Sequence, residues 1–290
     1  MVIIMNDPSR LLQIACLLSK KYRFEEDMEF RDHIGARLKM ARVRCVEFDD
    51  EGCAYLNRID RSSIVKMSAN WEIEWEVLSK VWTSRDDTAN ALGLGSFQFI
   101  ANSLLVSDFY RQKIVLINKK GRVKYSCNLP MKAPLFAQYI PHKKEYHVSD
   151  EQTGAIFIFN HKLKKRGEYR SPDDLLRPVQ ILYLQKKEAM LVASSFPQIK
   201  TSLEWFDLDG NYQGDLATFS WAPCHVAKIT HDGDHIFAAD SFGRIYKVDF
   251  EGNIIWRHSE SQIRERFKYI KYHRSYLYLS DNYRLRRFKI

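Results

Sequence analysis

His231 and His235 bracket two aspartates in the run His231-Asp-Gly-Asp-His235, a spacing at which two imidazoles and a carboxylate could hold a transition metal. Asp108, Asp150, Asp240 and Asp281 each end a similar apolar run, and such a carboxylate series could serve acid–base chemistry. No G-x-S-x-G, Walker loop or H-E-x-x-H is present, so no nucleophile, phosphate cradle or zinc pair is specified. The five cysteines (Cys16, Cys45, Cys53, Cys127, Cys224) are odd in number, scattered and free of any C-x-x-C. They encode neither a disulfide framework nor a zinc knuckle, and fit a reducing compartment.

Aligning the segments that carry these residues changes their meaning. Six β-prone runs end at Arg58, Asp108, Asp150, Ser195, Asp240 and Asp281, at intervals of 50, 42, 45, 45 and 41 residues. Each is followed by a short polar turn and a second β-prone run. A further turn then carries Gly121, Gly210 and Gly252 in equivalent places. Another apolar run precedes each anchor strand, so a period of about 45 residues holds four short strands, the mark of a β-propeller blade. The spacing predicts an all-β, six-bladed propeller of four-stranded blades spanning 42–290 as one domain. In that frame the recurring Asp reads as an Asx-turn residue that accepts backbone N–H groups. The His231–His235 slot holds Asp49-Asp-Glu-Gly52 in blade one and Gln185-Lys-Lys-Glu188 in blade four. It is therefore a polar hairpin, and no metal site is assigned beyond His231 and His235 as the weakest of candidates.

The sixth repeat stops after its third strand. The apolar run within residues 1–6, Met1–Met5, is expected to pair with 285–290 and remove two exposed sheet edges. Residues 7–41 read as a helical insertion of one or two helices. One stripe is Leu11, Leu12, Ile14, Ala15 and Leu18, and a weaker one is Phe30, Ile34 and Leu38. A cap on the propeller is expected of them before a docking surface for a partner. No apolar run reaches the length of a membrane span, and Ser19-Lys20-Lys21 is no signal cleavage site, so the cytoplasm is the working assumption.

The blades at 105–127 (LVSDFYRQKIVLINKKGRVKYSC) and 236–258 (IFAADSFGRIYKVDFEGNIIWRH) resemble the NHL-repeat family of propellers. The likeness covers about 43–290, and blades one and four depart from it with Arg58 and Ser195 in place of Asp. That family includes protein-interaction modules, RNA-binding domains and a few lyases, and related six-bladed propellers include calcium-dependent lactonases. The resemblance implies the fold and leaves the activity open. The inner strands carry Gln98, Gln138, Gln180, His225 and Lys228 as channel-lining candidates, with Glu47 their only acid. Amides and cations suit a hard dication poorly, so calcium is disfavoured and no cofactor is implied.

Charge is uneven. Lys plus Arg number 45 against 36 for Asp plus Glu, a net of +9. Residues 111–124 hold six cations and no acid, and 257–290 carry a net +7, whereas 49–87 carry −4. The turns after the anchors pair aromatics with cations, which selects Arg58, Arg61, Tyr110, Arg111, Lys113, Lys200, Arg244, Tyr283, Arg284 and Arg286 as candidate partner-binding residues. The favoured expectation is a non-catalytic binding module or scaffold that takes a protein partner on one loop-bearing face and a basic sector. RNA or single-stranded nucleic acid on the same face is the alternative. An enzyme with a central-channel site, using His225 or Lys228, comes third.

Overall fold

The computed structural model describes residues 20–21, 26–38, 43–58, 60–78, 94–100, 102–109, 111–196, 200–219, 226–240, 243–259, 267, 269–280 and 285–290. Beyond a helix α1 (Met28–Leu38) and a three-residue 3-10 turn (Gln185–Lys187), every regular element among the described residues is a strand, the first being the two-residue β1 (Lys20–Lys21). Blade one is β2 (Val43–Phe48), β3 (Ala54–Arg58), β4 (Ser63–Met67) and β5 (Ile73–Leu78). Blade two is β6 (Leu94–Ile100), β7 (Ser103–Asp108), β8 (Lys113–Asn118) and β9 (Val123–Asn128). Blade three is β10 (Pro134–Ile140), β11 (Glu145–Asp150), β12 (Ala155–Asn160) and β13 (Lys165–Tyr169). Blade four is β14 (Arg177–Leu184), β15 (Ala189–Phe196), β16 (Lys200–Asp207) and β17 (Tyr212–Phe219). Blade five is β18 (Val226–His231), β19 (Ile236–Asp240), β20 (Arg244–Val248) and β21 (Ile254–Ser259). Blade six is β22 (Tyr269–His273), β23 (Tyr276–Ser280) and β24 (Leu285–Lys289).

Each blade is an antiparallel meander in sequence order, so the expected six-bladed propeller is the fold. The second strands β3, β7 and β19 are buried at every position, because each lies mid-blade with neighbouring blades on both faces. That is why their sequences run apolar without the alternation of a half-exposed strand. The outer strand β9 is exposed or half-exposed along its whole length, as an edge should be. The core is correspondingly divided into clusters lying between blades.

The N-terminal segment secures the ring. β1 adds to β21 in parallel, Lys20 beside Trp256, as a fifth strand of blade five. Glu26 bridges Phe288 antiparallel on the outer edge of β24, and the Asp27 N–H donates to the Arg287 carbonyl at 2.9 Å. Asp27 then caps α1 by accepting the Phe30 N–H at 2.9 Å. Phe30 and Ile34 of the expected weaker stripe are buried. Phe30 meets Trp71 of blade one edge-on at 4.7 Å between ring centroids and Tyr278 of blade six at 5.8 Å, so α1 covers the join between first and last blades. The expected closing strand at 1–6 and the first helical stripe lie outside the described residues. Among the described residues no helix is long and apolar enough to cross a membrane.

Candidate functional site

Several polar side chains of the described inner strands join blade to blade. The Gln98 amide nitrogen donates to Gln138 Oε1 at 3.2 Å, while Gln98 Oε1 accepts the Tyr139 N–H at 2.7 Å. Gln138 Oε1 also accepts the Tyr183 N–H at 3.4 Å. Gln180 satisfies both backbone groups of Ile229, accepting its N–H at 2.9 Å and donating to its carbonyl at 2.7 Å. Tyr272 N–H donates to Thr230 Oγ1 at 3.1 Å, and the Lys271 ammonium donates to both Glu47 oxygens at 2.7 and 2.8 Å. The belt thus runs from blade two through blade six to blade one. Innermost strands have one unpaired edge, and a buried backbone group left without a partner is costly. The amides supply those partners. Lys228 lies 5.5 Å over the Phe136 ring, again across blades, and His225 lies outside the described residues.

The anchor turns require a correction. Asp108, Asp150 and Asp240 are buried and serve their own turns: Asp150 Oδ1 accepts the N–H groups of Ala133, Gln152 and Thr153. Arg111, expected on the surface, is buried against Asp108, its Nη1 at 3.2 Å from Oδ2. Arg244 pairs with Asp240 in the same way. Arg58 is buried beside Asp60 at 2.7 Å and Glu76 at 3.7 Å. Arg286 is buried too, gripping both Glu26 oxygens at 3.0 and 2.6 Å. Each of these cations is held by a carboxylate of this chain, so Arg58, Arg111 and Arg286 do not form a partner-facing surface. Arg61 is exposed, 3.6 Å from Glu76, and Lys113 is half-buried in β8. Tyr110, Tyr283, Arg284 and the side chain of Lys200 lie outside the described residues.

The histidine pair is a turn. Asp232 Oδ1 accepts the N–H groups of Asp234 and His235, and His235 Nδ1 lies 3.2 Å from Asp232 Oδ2. The His231 ring is pulled below its ordinary pKa by burial and by Lys271. Among the described residues, the ligand-type atoms of Asp49, Glu51 and Cys53 lie within 4.8 Å of one another. Asp49 is committed there to the Glu51 and Cys53 N–H groups and the Tyr55 hydroxyl, and Glu51 to Lys119 at 2.6 Å.

A different feature breaks the repeat. The turn between third and outer strands has one geometry in five blades: a backbone N–H returns to the carbonyl three residues earlier, at Trp71, Gly121, Leu163, Gly210 and Gly252. All five have positive φ, between 56° and 92°, the region natural to glycine. Where the residue is glycine, the preceding blade presses onto it. A Cβ on Gly121 would come 2.8 Å from Val77 and 3.1 Å from the Trp75 ring, whose Nε1 donates to the Lys119 carbonyl at 2.8 Å. A Cβ on Gly210 would come 2.7 Å from Tyr169, and Gly252 lies as close to the Leu216 backbone.

In blade three Leu163 occupies this slot with a φ of 56°, and the seam to blade two stands open. The opening is a pocket of about 450 Å³ lined by Ile114, Leu116, Tyr125, Tyr146, Leu163 and the His161–Lys162 turn. Among the described residues no carboxylate lines it. Tyr125 on β9 is 42% exposed, although an aromatic at that place would ordinarily be covered by the next blade. Lys120, Arg122, Lys162 and Lys164 around this flank are exposed and, among the described residues, none lies in ion-pair range of a carboxylate. Lys124 donates to Ser103 Oγ at 3.3 Å. The sequence signal was the missing glycine at 163 within an otherwise intact Asn160 turn.

No family model and no curated protein matches the chain. Among solved structures it is similar to a catalytically inactive virginiamycin B lyase from Staphylococcus aureus with quinupristin, at 14% identity and a TM-score of 0.64, covering 86% of this chain and 81% of that one. A streptogramin B lyase matches at 14% identity and 0.62 over 86% and 79%. A selenomethionine-substituted virginiamycin B lyase from Staphylococcus aureus matches at 15% and 0.62 over 87% and 85%. At such identities the likeness is one of fold: the chain is a six-bladed propeller built like these lyases.

Proposed function

We propose that this propeller is a non-catalytic binding module, a scaffold subunit that docks a protein partner on the basic flank of blades two and three. The observation that carries this is the open seam at Leu163, an apolar pocket beside exposed Lys and Arg that no carboxylate of the described chain engages. An apolar centre with a charged rim is the anatomy of a docking surface. The use of Gln98, Gln138, Gln180 and Lys271 as inter-blade links supports a structural inner ring over a channel active site. The blade resemblance to NHL repeats belongs to the same reading, since that family includes protein-interaction modules.

Nucleic acid is the second reading, and the exposed Tyr125 beside Lys and Arg is what favours it. A single apolar pocket suits one inserted side chain better than the succession of stacking platforms a single strand uses. Fluorescence anisotropy with a labelled polyglutamate and a random single-stranded RNA pool, each at two salt concentrations, separates the two. The expected result is salt-sensitive binding of polyglutamate that is lost in the Arg122→Glu, Lys162→Glu, Lys164→Glu triple variant. RNA binding through the same three residues, with no polyglutamate binding, overturns the proposal.

A further inference from the structure

We infer that the seam between blades two and three is a seat for one aromatic side chain carried by an acidic segment of a partner protein. This rests on the reading of the flank as a protein-docking surface and specifies what it takes. The grounds lie in the repeat itself. Two of the five described turns lack glycine in the positive-φ slot, at Trp71 and Leu163. At Trp71 the consequence is visible. The seam between blades six and one is filled by an added segment, which inserts Phe30 against Trp71 at 4.7 Å and under the Arg287 guanidinium at 4.4 Å. The acids preceding that phenylalanine then pair with cations of the neighbouring strand: Glu26 with Arg286, and Asp27 with Arg287.

The seam at Leu163 has the same ingredients without an occupant among the described residues. Leu163 replaces the glycine, the pocket floor is Ile114, Leu116 and Tyr146, and Tyr125 supplies an exposed ring. Lys162 stands on the rim in the role Arg287 plays at the first seam. At about 450 Å³ the opening is within the size range of pockets that enclose a ligand group, and its lining is largely apolar. The surrounding cations select acidic flanking residues, and an aromatic side chain satisfies both the apolar floor and the adjacent ammonium.

The test uses the full chain and two synthetic twelve-residue peptides rich in Glu and Asp, one with a single central Phe and one with Ala there. Burial of the ring predicts that the Phe peptide binds about tenfold tighter or more. That advantage should vanish in Tyr125→Ala, while Lys162→Glu should weaken both peptides. A third peptide with benzoylphenylalanine at the central position should cross-link, on illumination, to blade two or three within 114–125 or 146–163. Equal binding of the Phe and Ala peptides, or a cross-link elsewhere, overturns the seat and leaves charge-based docking standing. Binding of neither peptide overturns both. Tyr125→Ala is checked by its unfolding midpoint, and the cross-link stands independent of that variant.

Discussion

His147 makes the fold acid-sensitive by a calculable amount. It is fully buried in β11, with Nδ1 at 3.1 Å from the Tyr169 hydroxyl and Nε2 without a partner among the described residues. Burial pulls its pKa down from 6.5 to about 4, with Lys143 adding to the effect. The folded state therefore binds fewer protons than the unfolded one between these values. His147 contributes its full stability above pH 6.5, and that contribution is lost as pH falls toward 4. Linkage puts the loss at about 2–3 kcal/mol by pH 4.5. The assay is urea unfolding of the parent and of His147→Asn at pH 7 and pH 4.5. Asn can meet the Tyr169 hydroxyl where Nδ1 does, and it has no proton to gain. His273, also lowered to about 4 by burial, is present in both proteins and cancels in the comparison. The parent should lose about 2–3 kcal/mol more than the variant over this interval. An equal loss in both would refute the reasoning, because the acid sensitivity would then come from other groups.

Two further outcomes follow from the packing. Phe30→Ala removes the ring that joins α1 to Trp71 and Tyr278, at a local cost of about 3–5 kcal/mol. Hydrogen exchange should rise in α1 and along β24, and unchanged protection there would count against α1 as the ring's clasp. Gln180→Leu leaves the Ile229 N–H and carbonyl without partners, at about 1–3 kcal/mol for each group. The urea midpoint should fall accordingly, and a midpoint matching the parent's would remove the belt from the account of stability.

The blade count and most strand positions were legible because a repeat states its rule six times. Residues such as Asp108 and Asp150 could be read as turn formers from recurrence alone. The glutamines were visible too, one period apart at 98, 138 and 180, but their partners lie on the next blade and no local pattern shows that. The arginines misled for a related reason. Arg111 and Arg244 stand three and four residues after an anchor Asp, a spacing that places guanidinium on carboxylate when the chain turns tightly between them. A composition-based reading counts such residues as free positive surface. Arg286 gives no local warning, since its partner Glu26 is 260 residues away in sequence and adjacent only because the ring closes.

A repeat also shows where function can be sought. Positions that obey its rule are accounted for by packing, and departures that cost energy need another reason to persist. A leucine at positive φ carries a penalty of about 1 kcal/mol or more that glycine avoids. In blade three that penalty accompanies a second one, an open seam that leaves Tyr125 exposed, whereas its counterpart Trp75 packs on the glycine of the next blade. At Trp71 the same departure is offset, because the chain folds Phe30 over it. Leu163→Gly therefore discriminates between two accounts of the second departure. If Leu163 only fills the core cluster it is buried in, glycine relieves the backbone but loses that packing, and stability falls with the Phe over Ala preference unchanged. If the open seam is a seat, the same substitution removes a wall of the pocket and lowers the preference for the Phe over the Ala peptide.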